Sequence, residues 1–444
     1  MFISDTRGPL KAPSIMPTLR LLADDLTGAL DTAVEFVGLC GPIEIALGNE
    51  PDVEGKPSLA IDSGTRERST TDAVAIVEQL APLLKGADIA FKKVDSLFRG
   101  PWAAELAAVF RLGYWRHCIL APAFPHHGRL TRNGRQILRA ADGTWQDVSG
   151  DLVEALAAEG SPVTRVAKRN PARSPIRLDN SKYEHRLADG ISVFDADADS
   201  DLDEIAALVQ NARGPILWCG TGGLAAAMAR GSKLEAGASI SLFDPGARAF
   251  VLGQAKPVSF LTGWWLPKML EPLPGRLGPT TISRELKPPV LGLFGSDQPV
   301  TRAQLKACGS RWLHIGEETD PSVIEKQLER DGAALVSVDL PPGLDRAEAA
   351  ARIEICFGRI ARALPAPRTL IVAGGETLRG LCLSLGAEAL VVTGQVSPGL
   401  PRSVMTGGHW DKVEVISKSG AFGGPDLWHD LLKENGLIDE GDGT

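Results

Sequence analysis

Cysteine is sparse and unpatterned in this 444-residue chain. The six, Cys40, Cys118, Cys219, Cys308, Cys356 and Cys382, form no CxxC pair and have no His or Cys partner at zinc spacing. That excludes a disulfide framework and a structural zinc site, and the residues read as buried thiols in a reducing compartment. Long apolar runs are missing too. No stretch approaches about 18 uninterrupted apolar residues, and the amino-terminal MFISDTRGPLKAPSIMP lacks the apolar core of a signal peptide. The protein is therefore expected in the cytoplasm. Positive charge is also in deficit: 47 Lys plus Arg face 55 Asp plus Glu, and a net charge of -8 argues against a broad nucleic-acid surface. An anionic small molecule stays open as a partner, because it needs only a local basic pocket. There is no GxxxxGK followed by Ser or Thr, no HExxH, no GxSxG, no fixed-period repeat and no low-complexity tract.

What is present is an ordinary globular composition, 44% hydrophobic and 23% charged, in a chain longer than one core usually serves. The chain is organised around Leu19 to Phe36, LRLLADDLTGALDTAVEF, which reads as strand, acidic loop and helix. Leu19, Leu21, Leu22 and Ala23 form the strand, and Leu26, Leu30, Ala33, Val34 and Val37 recur at helical spacing. Asp24 and Asp25 fall at the strand's carboxyl end, where open α/β sheets bind ligands. Helix capping by Asp25 or Thr27 is the competing role. Strands at PIEIAL, SLAID, DIAFKKVD, HCILAPAF and PILWC alternate with helices, one from about Thr71 to Leu84 and one starting near Pro101. PHHGRLTRNG reads as a loop. After an irregular stretch from Gly231 to Lys287 the alternation resumes with PVLGLFGSD, WLHIG, ALVSVDLPPG, TLIVAGGET, ALVVTGQVSPG and VEVISKSGAFGG. This spacing implies βαβ units and largely parallel sheets.

In the first half every strand end carries polar chemistry: Asp24 and Asp25; Asp62, Ser63, Thr65 and Arg66; Lys93, Asp95, Ser96 and Arg99; His126, His127, Arg129, Thr131 and Arg132. If the strands are parallel, all four clusters share one edge, offering Arg and Lys to a carboxylate or phosphate and Asp to hydroxyls. Each cluster alone is also what a solvated loop looks like. In the second half the strand ends carry glycine: Gly295 beside Ser296, Gly374 and Gly375 beside Glu376 and Thr377, Gly394, Gly399, then Gly420, Gly423 and Gly424. Glycine between strand and helix lets backbone amides approach a phosphate, and its recurrence points to a nucleotide site. GTGGLA, Gly220 to Ala225, fits a loose dinucleotide pattern with Asp244 as its ribose acid, which keeps an NAD(P)-dependent oxidoreductase as an alternative. His126 and His127 are adjacent and point apart in most backbone conformations, so no metal site is assigned to them.

ADDLTGALD, DSGTRERS, KKVDSLFRG, LAPAFPHHGRLTRNG, GTGGLA, GSDQPVTRAQ, GGET and KSGAFGGPD occur together in this order from about Leu19 to Trp428. In this the chain resembles the four-carbon acid sugar kinases, the D-threonate, D-erythronate and 3-oxo-tetronate kinases. The resemblance implies an α/β fold of two domains, each with a mainly parallel sheet flanked by helices and with the active site in the cleft between them. The expected layout is an arm over 1–17, a sugar-acid domain over 18–230, a linker or insertion over 231–288, a nucleotide domain over 289–435 and a tail over 436–444. Transfer of the ATP γ-phosphate to a terminal hydroxyl is implied, with Mg²⁺ bridging the phosphates. Carried over by position, Asp24, Asp25, Asp62, Arg66, Lys93, Asp95, Ser96 and Arg99 would face the sugar acid, and Ser296, Gly374, Gly375, Glu376, Thr377 and Gly420 would face ATP. Lys93, Arg66 or Arg99 is expected to grip the substrate carboxylate. Asp25 is the favoured base, with Asp24 beside it and Asp95 as rival. The implied partners are the sugar acid and ATP, with neither nucleic acid nor membrane, and a homodimer is left open. A sugar-acid sensor without turnover is the further alternative.

Overall fold

The structure, a computed structural model, describes residues 16–47, 51, 53–140, 142–168, 187–209, 212, 214–241, 281–295, 298–420 and 422–438, with the backbone alone over 232–241 and at 346. Ser296, Asp297 and Asp244 lie outside the described residues, as does most of the 231–288 stretch. From the amino terminus run β1 (Leu19–Ala23), α1 (Leu26–Cys40), β2 (Ile43–Leu47), β3 (Leu59–Asp62), α2 (Thr70–Leu80), β4 (Ile89–Lys93), α3 (Trp102–Arg111) and β5 (His117–Ala121). Next come β6 (Arg129–Arg132), β7 (Arg135–Arg139), β8 (Trp145–Asp151), α4 (Leu152–Ala158), β9 (Val163–Val166), β10 (Gly190–Phe194), α5 (Asp199–Val209), β11 (Ile216–Gly220) and α6 (Gly222–Ser241). The second half holds β12 (Val290–Phe294), α7 (Pro299–Ala307), β13 (Trp312–Gly316), α8 (Ser322–Asp331), β14 (Ala333–Asp339), α9 (Arg346–Ala363), β15 (Thr369–Ala373) and α10 (Gly375–Leu385). It closes with β16 (Ala389–Ser397), β17 (Leu400–Thr406), β18 (Glu414–Lys418) and α11 (Leu427–Glu434). Among the described residues, no helix is long and apolar enough to cross a membrane.

The two blocks are joined edge to edge into one 15-stranded sheet, ordered β13-β14-β12-β15-β18-β17-β16-β2-β3-β1-β4-β11-β5-β10-β9. All its pairings are parallel except β2 with β16, β16 with β17 and β17 with β18. Three antiparallel steps leave the second block's parallel strands running opposite to the first block's. In a flat sheet their carboxyl ends would sit on opposite edges. Six strand steps separate β15 from β1, and at the usual 20–25° per step they accumulate about 120–150° of twist, which turns the two carboxyl edges toward each other.

Local sequence sets the details. The ring-bearing Pro82 cannot continue α2, which passes into a single 3₁₀ turn over Ala81–Leu84. The stretch expected as one loop after β5 is instead a 3₁₀ turn, Pro125–His127, followed by the hairpin β6–β7 of a separate three-stranded sheet. Its turn is Asn133-Gly134, at φ 54° and 72°. Two successive left-handed residues suit the twist of a two-residue hairpin, and Asn-Gly tolerates them best. Along β4 the side chains alternate between faces. Phe91 joins the core under α1, whereas Ala90 joins the core under α3.

The same alternation separates Lys92 from Lys93. Lys92 points to the α3 face and donates to Glu105 Oε2 at 2.7 Å, with both side chains shut off from solvent. Removing one partner of such a pair strands a buried charge. Lys92→Met is therefore expected to cost about 3–5 kcal/mol in urea unfolding, and Lys92→Met with Glu105→Leu to recover most of it. Equal losses in the single and double variants would show that the ion pair is not what the site depends on.

Candidate active site

The carboxyl ends of β1, β3 and β4 lie side by side because these strands are neighbours. The loop after β3 is stitched to the end of β1: Ser63 N and Oγ donate to the Ala23 carbonyl, and Thr65 and Arg66 N donate to the Asp24 carbonyl. This places Arg66 over three acids. Its Nε and Nη2 donate to the two oxygens of Asp24 at 2.8 and 3.0 Å, Nη2 also donates to Asp25 Oδ1 at 2.6 Å, and Asp95 Oδ1 lies 3.5 Å away. Asp95 in turn is held by Arg99 through Nε and Nη2 at 2.7 and 2.9 Å. Asp25 is also the α1 N-cap, accepting from Gly28 N at 2.8 Å, so capping and site geometry are one arrangement. Lys93, on the α1 face of β4, donates to the Val94 carbonyl at 2.8 Å, and its Nζ and Asp25 Oδ1 both crowd Gly28. A methyl group there would lie 2.8 Å from the one and 2.6 Å from the other. Ser96 is half-buried in the following turn, where its carbonyl accepts from Gln136.

These contacts drive the three acids apart. Burial works against ionisation at each of them. At Asp24 the charges of Arg66 and Lys93 overcome it and hold the carboxyl below its ordinary range. At Asp95 the bonds from Arg99 and the charge of Arg66 hold it well below. At Asp25 burial wins, reinforced by Asp24, and the carboxyl is raised.

In the second block β12, β15 and β18 are neighbours, so Gly295, Gly374 and Gly420, which follow them, lie along one edge of the sheet. Gly374, at φ 110°, donates to the Lys418 carbonyl and starts α10. Gly295 has no room for a side chain against Thr377 Oγ1. Thr301 Oγ1 donates to the Gly420 carbonyl at 2.8 Å. The buried Lys418 ammonium donates to the carbonyls of Ser419, Gly420 and Phe422 at 3.0, 3.0 and 3.1 Å and thereby shapes the KSGAFGG loop. Burial pulls its pKa down to about 7, while three carbonyl acceptors match the three protons of an ammonium.

The two surfaces touch. A methyl on Gly375 would lie 2.5 Å from Thr27 Oγ1 and 3.3 Å from Asp25 Oδ2, so the amino terminus of α10 faces the acids at the amino terminus of α1. Asp62, expected at the substrate, is fully buried in an ion pair with Arg379 of α10 and accepts from Gly64 N. Burial raises its pKa to about 6. The His127 ring lies between Phe124 and Phe422, at 4.0 and 5.3 Å between centroids. Arg379 and Lys418 are site residues that sequence reading missed; one signal for Arg379 was its place one helical turn after Gly375. The GTGGLA turn is filled by its own fold: methyl groups on Gly220 and Gly223 would lie 2.6 Å from the Ala121 and Ala123 carbonyl oxygens. Its glycines serve packing against the strand next door, which removes the basis of the dinucleotide reading.

Comparison with known proteins agrees with this division. A sugar-binding N-terminal domain profile matches residues 19–228, and a nucleotide-binding C-terminal domain profile matches residues 311–428. A D-threonate kinase from Cupriavidus necator is 28% identical over 441 residues, covering 92% of this chain and 96% of its own. A 3-oxo-tetronate kinase from Pseudomonas savastanoi pv. phaseolicola is 26% identical over 447 residues, covering 94% and 97%. A solved structure from Salmonella typhimurium shares the fold with a TM-score of 0.62 at 18% identity, covering 94% of this chain and 99% of its own.

Lys418→Met would leave three carbonyls without their donor. It is expected to lower stability by about 1–3 kcal/mol and to open the loop to chymotrypsin at Phe422 before global unfolding. A loop as resistant as that of the wild type would mean that Lys418 does not shape it.

Proposed function

The chain belongs to the family of four-carbon acid sugar kinases, and from that premise we propose that it moves the γ-phosphate of ATP to the terminal hydroxyl of a threonate-, erythronate- or 3-oxo-tetronate-type acid. The observation that carries the chemistry is the position of Asp25. Its Oδ1 is occupied by Gly28 N and Arg66, while its Oδ2 faces Gly375 at the start of α10. A hydroxyl hydrogen-bonded to Oδ2 would therefore stand against a helix amino terminus suited to a phosphate.

Phosphoryl transfer asks a protein for positioning and charge neutralisation more than for covalent chemistry. Asp25 is the base in this reading, because a raised carboxyl accepts a proton more readily than one held down. Asp95, locked by Arg99, and Asp24, locked by Arg66, are poor acceptors and serve to fix Arg66 and the loop geometry. Gly374, Gly375, Glu376 and Thr377 at the start of α10, with Gly420 in the loop that Lys418 shapes, are assigned to the triphosphate. Among the described residues no three His, Cys, Asp or Glu cluster as a metal centre. A Mg²⁺ that arrives on the nucleotide needs only one or two protein carboxylates, and Glu376, next to Gly375, would be one. Bound there, the ion would offset phosphate charge.

ADP release with Mg-ATP across threonate, erythronate and their 2- and 3-oxo forms tests the reaction. Turnover on one acid is expected, with Asp25→Asn reducing kcat by about 10²–10⁴-fold. No turnover on any acid would overturn the kinase reading. The pH profile tests the base. Since Asp25 must be ionised and its carboxyl is raised, kcat/KM should fall with acidification at a pH above the ordinary carboxylate range. A limb below that range would transfer the role to Asp95.

A further inference from the structure

The cations expected to grip the substrate carboxylate are already committed. Arg66 is shared among Asp24, Asp25 and Asp95. Arg99 is bound through two nitrogens to Asp95. Lys93 donates to the Val94 carbonyl beside Asp25. Arg379, which the sequence did not offer, pairs with Asp62. Arg129, the first residue of β6, differs. Its Nε is buried without a hydrogen-bond partner, and among the described residues it forms no ion pair.

Two more orphaned atoms belong to the same neighbourhood. His127 Nε2 and Asp31 Oδ1 are buried without partners. His127 lies two residues before Arg129 and feels its charge, and Asp31 feels Arg129, Lys93 and Asp25. Buried polar atoms are paired in the great majority of cases, so three orphans in one place mark a position where a polar ligand completes the set. Asp25, the α1 N-cap, and Asp31 are six residues apart, about 9 Å along the helix axis and about a third of a turn apart around it. That is the order of length of a four-carbon chain with a hydrogen bond at its end.

We propose that Arg129 is the residue that grips the carboxylate of the sugar acid, with Asp31 and His127 Nε2 bonding the adjoining hydroxyl. The assignment rests on the kinase reading above and sharpens it, replacing Arg66, Arg99 and Lys93 in this role. A guanidinium fork fits a carboxylate through two parallel bonds and is strongest where water is excluded. Burial lowers the pKa of Arg129 from its ordinary value, so an incoming anion offsets a real desolvation cost. Burial likewise pushes His127 down to about 4 and Asp31 up to about 7. A neutral imidazole and a partly protonated carboxyl can both donate and accept, as hydroxyl recognition requires. His127 also touches Phe422 in the loop that Lys418 shapes. The carboxylate end of the site is thereby built from both blocks.

The test compares wild type with Arg129→Gln and Arg129→Lys, on the preferred acid and on the corresponding neutral tetritol. Arg129→Gln should raise KM for the acid by about 10–100-fold, leave KM for ATP within about twofold, and abolish the preference for acid over tetritol; Arg129→Lys should restore part of both. An unchanged acid KM, or equal increases for acid and ATP, would overturn the assignment. If the wild type turned over none of the acids, the kinase reading would fail by itself. Calorimetric titration of threonate and erythronate would then still decide on Arg129: loss of acid binding in Arg129→Gln supports it, and equal binding overturns it.

Discussion

The site depends on one guanidinium. Asp24, Asp25 and Asp95 come from two strand ends packed side by side, and three buried carboxylates at that spacing could not all ionise unaided. Arg66 makes the arrangement stable by touching all three. Because its contacts are unequal, it also makes the acids different. Asp24 receives two bonds and Asp95 has a second arginine, so both are held down. Asp25 receives one Arg66 bond, on the oxygen that also accepts from Gly28 N, so burial keeps it raised while its other oxygen faces Gly375 of the second block. A base is thus singled out by how the arginine contacts are divided among residues that look alike in the chain.

The second constraint is directional. Parallel βαβ units put ligand-binding loops at carboxyl ends, and two such blocks can share a ligand only if those ends meet. The antiparallel steps through β2, β16, β17 and β18 reverse the strand direction, and the twist over the same span turns it back. Either alone would leave the edges apart. Together they bring Gly375 against Asp25 and Thr27, and Arg379 against Asp62.

The individual strands and the acidic and glycine-rich loops were legible, because each is set by local periodicity and by which residues break it. What joins them was less so. The β6–β7 hairpin passed for a loop even though Asn133-Gly134 announces it, since Arg129 to Arg132 lacks the apolar alternation that usually flags a strand. The β16–β17 hairpin read as one more βα unit, because a parallel and an antiparallel strand carry similar apolar runs. Arg379, Lys418 and Asp31 escaped because their roles come from the facing block or from burial, which spacing along one segment does not encode. Arg66 and Arg99 are bonded to Asp24, Asp25 and Asp95, and sequence counts a cation without showing which anions already hold it.

That distinction governs the charge balance of the proposed site. The acids Asp24, Asp25, Asp31, Asp62 and Asp95 stand with the cations Arg66, Lys93, Arg99, Arg129 and Arg379 at and beside the junction of the two blocks, so without ligand the charges nearly cancel. In the proposed reaction a sugar acid brings one negative charge and ATP several more. The balance therefore has to be kept locally. On the sugar side Arg129, whose Nε has no partner among the described residues, would answer the carboxylate, and the raised Asp31 and Asp62 can take up protons as negative charge accumulates. On the nucleotide side, Lys418 directs its protons to carbonyls. The triphosphate would have to be met by backbone amides, the α10 amino terminus and the accompanying Mg²⁺. In the proposed reaction a loop that a lysine shapes from beneath would stand in for a Walker-type lysine, so the absence of GxxxxGK from the sequence is no argument against ATP.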